Sequence, residues 1–208
     1  MQLTADRVPV LFHDIALQRM TGQTGNLLET RIDELDSYSV SFPDRFGKLF
    51  INNRIITLHQ IVKMFVKYPQ VTPCIEIKQE SLEYFGLDSS VDAILDASAA
   101  IHDRAIYLSF SRKAIEQLHS LGIKRTGWVI KDYDDIHRAL ADRLQPRVLI
   151  VDISKLPGSG DIFWPGDFEW MVYQTEDPQT VKRFIDLGVK YIETDNIKLI
   201  AEALPELF

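Results

Sequence analysis

The sequence is poor in cysteine: its single cysteine, Cys74, cannot form a disulfide within the chain. Disulfides persist mainly in oxidising compartments, so one lone cysteine favours a reducing, cytoplasmic location. The apolar neighbours Pro73, Ile75 and Ile77 predict that Cys74 is a small core residue rather than a nucleophile. No apolar run approaches the roughly 20 residues of a membrane-spanning helix. The first ten residues also lack the basic-then-apolar pattern of a signal peptide, so we expect no leader and no stable membrane anchor.

Positive charge is also scarce, because 23 Lys and Arg face 30 Asp and Glu, a net charge of -7. Nucleic acids and anionic membranes require a broad basic face, so this balance argues against both as partners. A phosphate-bearing ligand stays compatible if a metal ion or a few local cations offset the field. The chain also lacks the His-Glu-x-x-His, Cys-x-x-Cys, P-loop and Gly-x-Ser-x-Gly patterns. The Gly-Ser-Gly segment at 158–160 is only a weak pattern for a phosphate-binding loop.

Short apolar segments alternate with amphipathic ones along the whole chain, which predicts an α/β fold. The predicted strands are 8–14, 72–78, 105–110, 125–130, 147–153, 170–175 and 191–195. The predicted helices are 57–68, 89–102, 111–122, 132–144, 177–188 and 196–208. Polar residues recur where nearly every strand ends, as a ring of active-site loops requires. This favours a closed TIM (β/α)8 barrel over an open sheet, which gathers its ligand site at one switch point.

Glu76 and Lys78 in "CIEIK" are spaced by two residues, so both point to one face of a strand. In a barrel that face is the interior, where a carboxylate and an ammonium group are costly unless they are paired or bound to a ligand. A divalent cation on Glu76 with a phosphate on Lys78 would satisfy both groups. A buried Glu–Lys ion pair explains the same pattern and is an equal alternative.

His13 and Asp14 follow an apolar run in "VPVLFHD", at the end of the first predicted strand. A histidine there suits general acid or base catalysis, and an adjacent aspartate can orient the imidazole or the backbone. A histidine bonded to a loop is the structural alternative. The other four histidines fall in predicted helices, and we expect them on the surface or in helix packing; they are His59, His102, His119 and His137.

Five segments, in chain order, resemble motifs of the glycerophosphodiester phosphodiesterase family. In that family a strand ends in His-Asp and leads into a Leu-x-Arg-x-Thr-Gly-x-x-Gly loop, here His13, Asp14, Leu17, Arg19, Thr21, Gly22 and Gly25. "CIEIK" (74–78) resembles the metal-ligand strand, and "YLSFS" (107–111) the end of the fourth strand. "RIITLHQIV" (54–62) resembles a helix start, and "DLGVKYIETDN" (186–196) the closing segment.

The resemblance implies one TIM barrel domain over 1–208, with a small insertion at about 35–53. It implies a Ca²⁺- or Mg²⁺-dependent hydrolase that converts glycerophosphodiesters, in lipid and glycerol metabolism, to glycerol 3-phosphate and an alcohol. By position His13 would be a catalytic histidine, Glu76 a metal ligand and Lys78 a phosphate contact. Asp14 and Asp195 would organise the site.

The chain departs from the family pattern at its start. The family opens with a strand ending in His-Arg-Gly and a strand carrying Glu-x-Asp, which supply a second histidine, an arginine and two metal ligands, and neither motif stands ahead of the His13-Asp14 segment here. We therefore expect a barrel without its first βα unit and a chain that is either a fragment or has a misassigned start. Such a barrel would bind a cation weakly and expose sheet edges that a second copy could pair with, as a homo-oligomer. In "VYQTE" (172–176), Tyr173 replaces the usual tryptophan, which leaves the alcohol group open.

Two other functions stay open at this point. The same fold with an incomplete site would be a non-catalytic module for anion binding or assembly. A different barrel enzyme could use Lys78 to form a Schiff base, which requires Lys78 to be free of Glu76.

Overall fold

Six parallel strands form the main sheet, in their order along the chain. The computed structural model describes residues 1–158 and 162–208; Ser159 and Gly160 of the predicted Gly-Ser-Gly loop lie outside them. The strands are β3 Cys74–Glu76, β4 Ile106–Ser109, β5 Thr126–Val129, β6 Val148–Asp152, β7 Glu169–Tyr173 and β8 Tyr191–Ile192. Sequential parallel order joined by helices is the topology of a TIM barrel, and the sheet curls as part of one.

Ten α-helices accompany the strands in the described residues. They are α1 Gln18–Thr21, α2 Ile32–Leu35, α3 Pro43–Phe46, α4 Leu58–Phe65, α5 Gln79–Phe85, α6 Leu87–Ser98, α7 Arg112–Ser120, α8 Asp135–Leu144, α9 Pro178–Asp186 and α10 Ile197–Ala203. The carboxylate of Asp177 accepts from the backbone N–H of Thr180 at 3.0 Å and so caps α9 ahead of Pro178. Gly122 and Gly188 follow α7 and α9 with φ of 81° and 85°, as predicted for glycines that end a helix.

The two faces of the sheet have different roles because side chains alternate along each strand. The outward face packs on the helices and includes Tyr107, Trp128, Leu149 and Trp170 in the largest buried cluster. The inward face carries a smaller apolar cluster built on Ile106, Leu108, Val129, Val148 and Ile150. The helix side therefore holds the main core, and the inner face is left to line a cavity.

The first predicted strand, 8–14, is wrong in length and in partner. Only Pro9–Val10 (β2) forms a strand there, and it pairs antiparallel with Gln2–Leu3 (β1) outside the main sheet. A tight turn explains this: the backbone N–H of Thr4 donates to the carbonyl of Val8 at 3.1 Å, and Arg7 has φ of 59°. His13 and Asp14 therefore lie on a loop that follows β2.

Cys74 was predicted to be buried and is exposed, a second correction. It begins β3 on the inward face, whereas Ile75 next to it points to the helices and is buried. The alternation of side chains along this edge strand, rather than the apolar residues next to it in sequence, thus decides the exposure of Cys74. In residues 1–158 and 162–208, no helix has both the length and the apolar composition needed to cross a membrane.

Candidate active site

A cavity of about 250 Å³ opens on the inner face at the carboxyl ends of the strands. Its wall is apolar on one side, from strands β4 to β7, and polar on the other. The lining residues are His13, Glu76, Lys78, Leu108, Phe110, Val129, Ile150, Met171, Tyr173, Gln174 and Glu193. Ligand sites of parallel α/β barrels lie at this edge, so the cavity is the candidate active site.

Glu76 and Lys78 form an ion pair in this cavity, with Lys78 Nζ 2.9 Å from Glu76 Oε2. The side chains are 25% and 13% exposed respectively, so both charges are largely removed from water. Glu76 Oε1 is buried and has no hydrogen-bond partner among the described residues. A buried acceptor left unpaired costs free energy, so Glu76 has a hydrogen-bonding capacity that the described residues leave unused.

His13 enters the cavity from the loop after β2, with 73% of its side chain exposed. Its Nδ1 lies 2.9 Å from Asp14 Oδ1, and Arg19 donates two hydrogen bonds to Asp14, Nε to Oδ2 at 2.6 Å and Nη2 to Oδ1 at 2.8 Å. These bonds from Arg19 hold the pKa of the Asp14 carboxyl at about 2. Asp14 thus stays ionised at neutral pH and orients the imidazole of His13.

Glu193 and Tyr173 also line the cavity. The sequence analysis noted Tyr173 only as a departure from the family pattern, and it missed Glu193. Burial, with the charges of Glu76 and Asp195 next, raises the pKa of Glu193. Burial also raises the pKa of Tyr173, helped by the charges of Asp152 and Glu193. Glu193 precedes Asp195 by two residues, the same spacing as Glu76 and Lys78, and that spacing was the available signal.

Asp195 is not among the residues that line the cavity; it contacts the site through Gln174. Gln174 Nε2 donates to Asp195 Oδ2 at 3.0 Å, and Gln174 itself lines the cavity. The structure thus brings His13, Glu76 and Lys78 together, with Asp14 bonded to His13 and Asp195 bonded to the neighbouring cavity residue Gln174.

Other polar residues at strand ends do not reach the cavity. Ser109 is buried and donates to the carbonyl of Ile77 at 2.8 Å, and Lys131 is exposed. Trp128 and Trp170 are buried in the core. Among the described histidines only His13 lines the cavity. The Schiff-base alternative is contradicted, because Lys78 is paired with Glu76.

A divalent cation fits the described residues only in part. The unpartnered Oε1 of Glu76 is an oxygen of the kind that hard cations bind, and Glu193 is a second carboxylate in the cavity. Outside the undescribed 159–161, no group of three or more His, Cys, Asp or Glu side chains is arranged to hold a metal ion. The site therefore offers one or two protein ligands and leaves the other positions to water or substrate.

The fold has close counterparts among solved structures. A phosphodiesterase from Oleispira antarctica, solved with its product sn-glycerol-3-phosphate, superposes with a TM-score of 0.79 at 17% identity, covering 98% of this chain and 82% of that one. A glycerophosphodiester phosphodiesterase from Parabacteroides distasonis gives 0.74 at 21% identity, covering 99% and 82%. At such identities the likeness establishes the fold. No curated protein matches the chain.

The sequence itself matches a family model. The model of the glycerophosphoryl diester phosphodiesterase family matches residues 1–115, which hold four of the five resembling segments. That range also contains His13, Glu76 and Lys78, which line the cavity, and Asp14, which bonds to His13. Because the match covers more than half of the sequence, the chain belongs to the glycerophosphoryl diester phosphodiesterase family.

Proposed function

We propose that this chain hydrolyses glycerophosphodiesters to glycerol 3-phosphate and an alcohol at the cavity of His13, Glu76 and Lys78. The observation that carries the proposal is that His13, on the loop after β2, and the pair Glu76 and Lys78, at the end of β3, line the same cavity. Together they offer a proton carrier, a carboxylate with an unpartnered oxygen and an ammonium group. Hydrolysis of a phosphodiester uses all three kinds of group: one transfers a proton, one can bind a cation and one binds the phosphate.

Lys78 binds the phosphate in this proposal. A phosphodiester is an anion, and Lys78 is the one lysine or arginine among the described residues that line the cavity. Glu76 holds Lys78 Nζ at 2.9 Å and so fixes the direction in which that charge points. The apolar wall of Leu108, Ile150 and Met171 lowers the local polarity, which strengthens the attraction between Lys78 and the phosphate.

His13 transfers the proton in this proposal. As a neutral imidazole it accepts a proton from the attacking oxygen, or as an imidazolium it donates one to the departing alkoxide. Its Nδ1 faces Asp14, so the other ring nitrogen, Nε2, is the one available to substrate. The attacking oxygen belongs to water or to the 2-hydroxyl of the substrate, and the second route passes through a cyclic phosphate.

A divalent cation would be held by Glu76, with Glu193 as the neighbouring carboxylate. Such a cation supplies positive charge to the phosphate oxygens. A donor set of one or two carboxylates with water and phosphate is the way magnesium is bound in proteins, whereas calcium takes six to eight oxygens. We therefore propose Mg²⁺ ahead of Ca²⁺, with weak affinity.

Turnover by this chain is proposed to be slow. Acid and base act on opposite sides of the phosphorus, and His13 is the one histidine among the described cavity residues. The small number of metal ligands among the described residues is a second reason to expect slow turnover. The same observations support the alternative that the chain is a degenerate barrel that binds an anion without hydrolysing it.

The lone cysteine makes a reducing, cytoplasmic setting our proposal for its location.

The test is release of glycerol 3-phosphate from glycerophosphocholine with Mg²⁺, with Ca²⁺ and with a chelator. Wild type, His13→Ala and the matched control His59→Ala would be compared, since His59 is exposed on α4 and does not line the cavity. The proposal predicts metal-dependent release that is lost in His13→Ala and kept in His59→Ala. Glycerol 3-phosphate binding without any release would establish the anion-binding alternative instead.

A further inference from the structure

Basic residues are concentrated in one part of this acidic chain. Residues 37–75 contain a single acidic residue, Asp44, and five basic ones, Arg45, Lys48, Arg54, Lys63 and Lys67. The whole chain carries -7, so this stretch reverses the sign of its surroundings. A net charge describes the average of a surface and says nothing of a local patch, which acts within about 10 Å at physiological salt.

The same stretch exposes large apolar side chains. Leu49 is 73% exposed, and four neighbours between 46 and 56 are each about 40% exposed or more: Phe46, Phe50, Ile51 and Ile56. Scattered exposed apolar residues are ordinary, but a contiguous group beside cations is characteristic of an interaction surface.

Contacts between these residues make them one surface. The rings of Phe46 and Phe50 meet edge to face with centroids 5.3 Å apart, and the backbone N–H of Leu49 donates to the carbonyl of Phe46 at 3.1 Å. The backbone N–H of Leu11 donates to the carbonyl of Ile56 at 2.8 Å. We call this surface the apolar–basic face; it comprises Leu11, Phe46, Leu49, Phe50, Ile51 and Ile56 with Arg45, Lys48 and Arg54.

The cations lie among the apolar residues. The guanidinium of Arg45 lies 5.0 Å from the centroid of the Phe46 ring. Arg54 Nη1 donates to the carbonyls of Ile51 and Asn53, at 3.0 and 3.1 Å, which holds it against the same loop. Lys48 is exposed and adjoins Leu49. Long basic side chains beside aromatic and aliphatic ones suit the boundary between lipid headgroups and acyl chains.

Part of the apolar–basic face lies close in the chain to the catalytic loop. Leu11 lies two residues before His13, which lines the cavity, and Leu11 and Ile56 together line a surface depression with Val40 and Asn53.

We propose that the apolar–basic face rests on an anionic lipid bilayer, with Leu49 and its neighbours at the headgroup boundary. Charge complementarity selects this occupant: the face carries three basic residues, and Asp44 is the one acidic residue in the stretch 37–75, a balance that suits anionic headgroups. A second copy of the acidic chain would bring this basic face against an identical basic face. The contact is peripheral and needs no spanning helix. It does not depend on the proposed hydrolysis, because adsorption is measured without turnover.

The test is sedimentation of the full chain with vesicles of phosphatidylcholine alone or with phosphatidylserine. Each basic residue near an anionic surface contributes about fivefold in partitioning, so Lys48→Gln should weaken binding about fivefold. Leu49→Gln should weaken it about tenfold through lost apolar contact. The matched controls are Lys113→Gln, exposed on α7, and Ile136→Gln, 69% exposed on α8.

The expected result is binding to phosphatidylserine vesicles that falls with added salt, falls in both face variants and is unchanged in both controls. Failure of wild type to sediment at low salt, or an equal loss in the controls, would overturn the proposal. Light scattering supplies the remaining outcome. A dimer that Leu49→Gln disperses, with no vesicle binding, would assign the face to a second copy and likewise overturn the bilayer.

Discussion

Replacing both members of the Glu76–Lys78 pair separates a functional ion pair from a structural one. At 2.9 Å and an effective dielectric constant of about 20, their attraction is roughly 6 kcal/mol. Removing two ions from water costs several kcal/mol each, and Glu76 Oε1 remains unpaired. The terms nearly cancel, so the pair contributes little net stability.

Single and double variants should therefore differ in direction. Lys78→Met leaves the carboxylate of Glu76 without a partner and should lower the free energy of unfolding by about 2–3 kcal/mol. The double variant Glu76→Leu/Lys78→Met removes both charges and should fall within about 1 kcal/mol of wild type, or be more stable. Every one of these variants should lose affinity for glycerol 3-phosphate.

Urea unfolding measures the coupling between Glu76 and Lys78 in a double-mutant cycle. The four proteins are wild type, Glu76→Leu, Lys78→Met and the double variant. Lys198 and Glu202, exposed on α10 with charges 3.8 Å apart, provide the control pair, for which every variant should lie within about 0.5 kcal/mol of wild type. A double variant as unstable as the sum of its single variants would refute the reasoning. It would make the pair a structural element of the barrel.

Three further predictions concern the loop and the inner face. Asp14 has a pKa of about 2 against 3.8 when unfolded, so Arg19→Ala should cost about 1 kcal/mol at pH 7, allowing for exposure to solvent. A carboxyl group whose pKa is lowered by folding stabilises the protein at pH values above its unfolded pKa. The difference in unfolding free energy between wild type and Arg19→Ala should therefore fade as the pH falls from 4 to 2, and an undiminished difference at pH 2 would contradict this reasoning. His13→Ala should leave the melting temperature nearly unchanged, because its side chain is 73% exposed, and a large drop would show a structural role. Gly127→Ala places a Cβ 3.0 Å from two inner-face side chains and should cost about 1–3 kcal/mol by denaturation, whereas no change would mean that the inner face can yield.

Much of the main sheet could be predicted because its strands are buried and β-branched. The runs around Tyr107, Leu149 and Val172 predicted strands β4, β6 and β7, and glycines with positive φ marked the helix ends. The region before β3 could not be predicted in the same way. There a proline at position 9 and a turn stabilised by Thr4 produce an antiparallel pair from a pattern that equally suits a parallel strand.

Helix starts were predicted less well than helix ends. The predicted helix 89–102 starts at Ser89 and Ser90, residues typical of an N-cap, but α6 begins earlier, with Gly86 as its N-cap. Ser90 instead donates to the carbonyl of Ser81 at 3.0 Å, which ties α6 to α5. A tertiary partner for a serine hydroxyl competes with capping and is invisible in the local sequence.

Some site residues could likewise be predicted from local sequence, whereas others depend on tertiary structure. Glu76 and Lys78 could be predicted as cavity residues because their spacing places both on one face of a strand. Glu193 has that spacing relative to Asp195, but its contribution depends on the curl of the sheet that brings β8 round towards β3. The match to the family model ends at residue 115, so the resemblance of segment 186–196 to the closing segment of the family stays a prediction.

Identification of the products of glycerophosphocholine by ³¹P NMR tests the central claim most directly. The account predicts that phosphate stays with glycerol, so that the diester resonance gives way to glycerol 3-phosphate in wild type and persists in His13→Ala. Phosphocholine as the product, or the same rate in the His13→Ala variant, would contradict the assignment of this cavity.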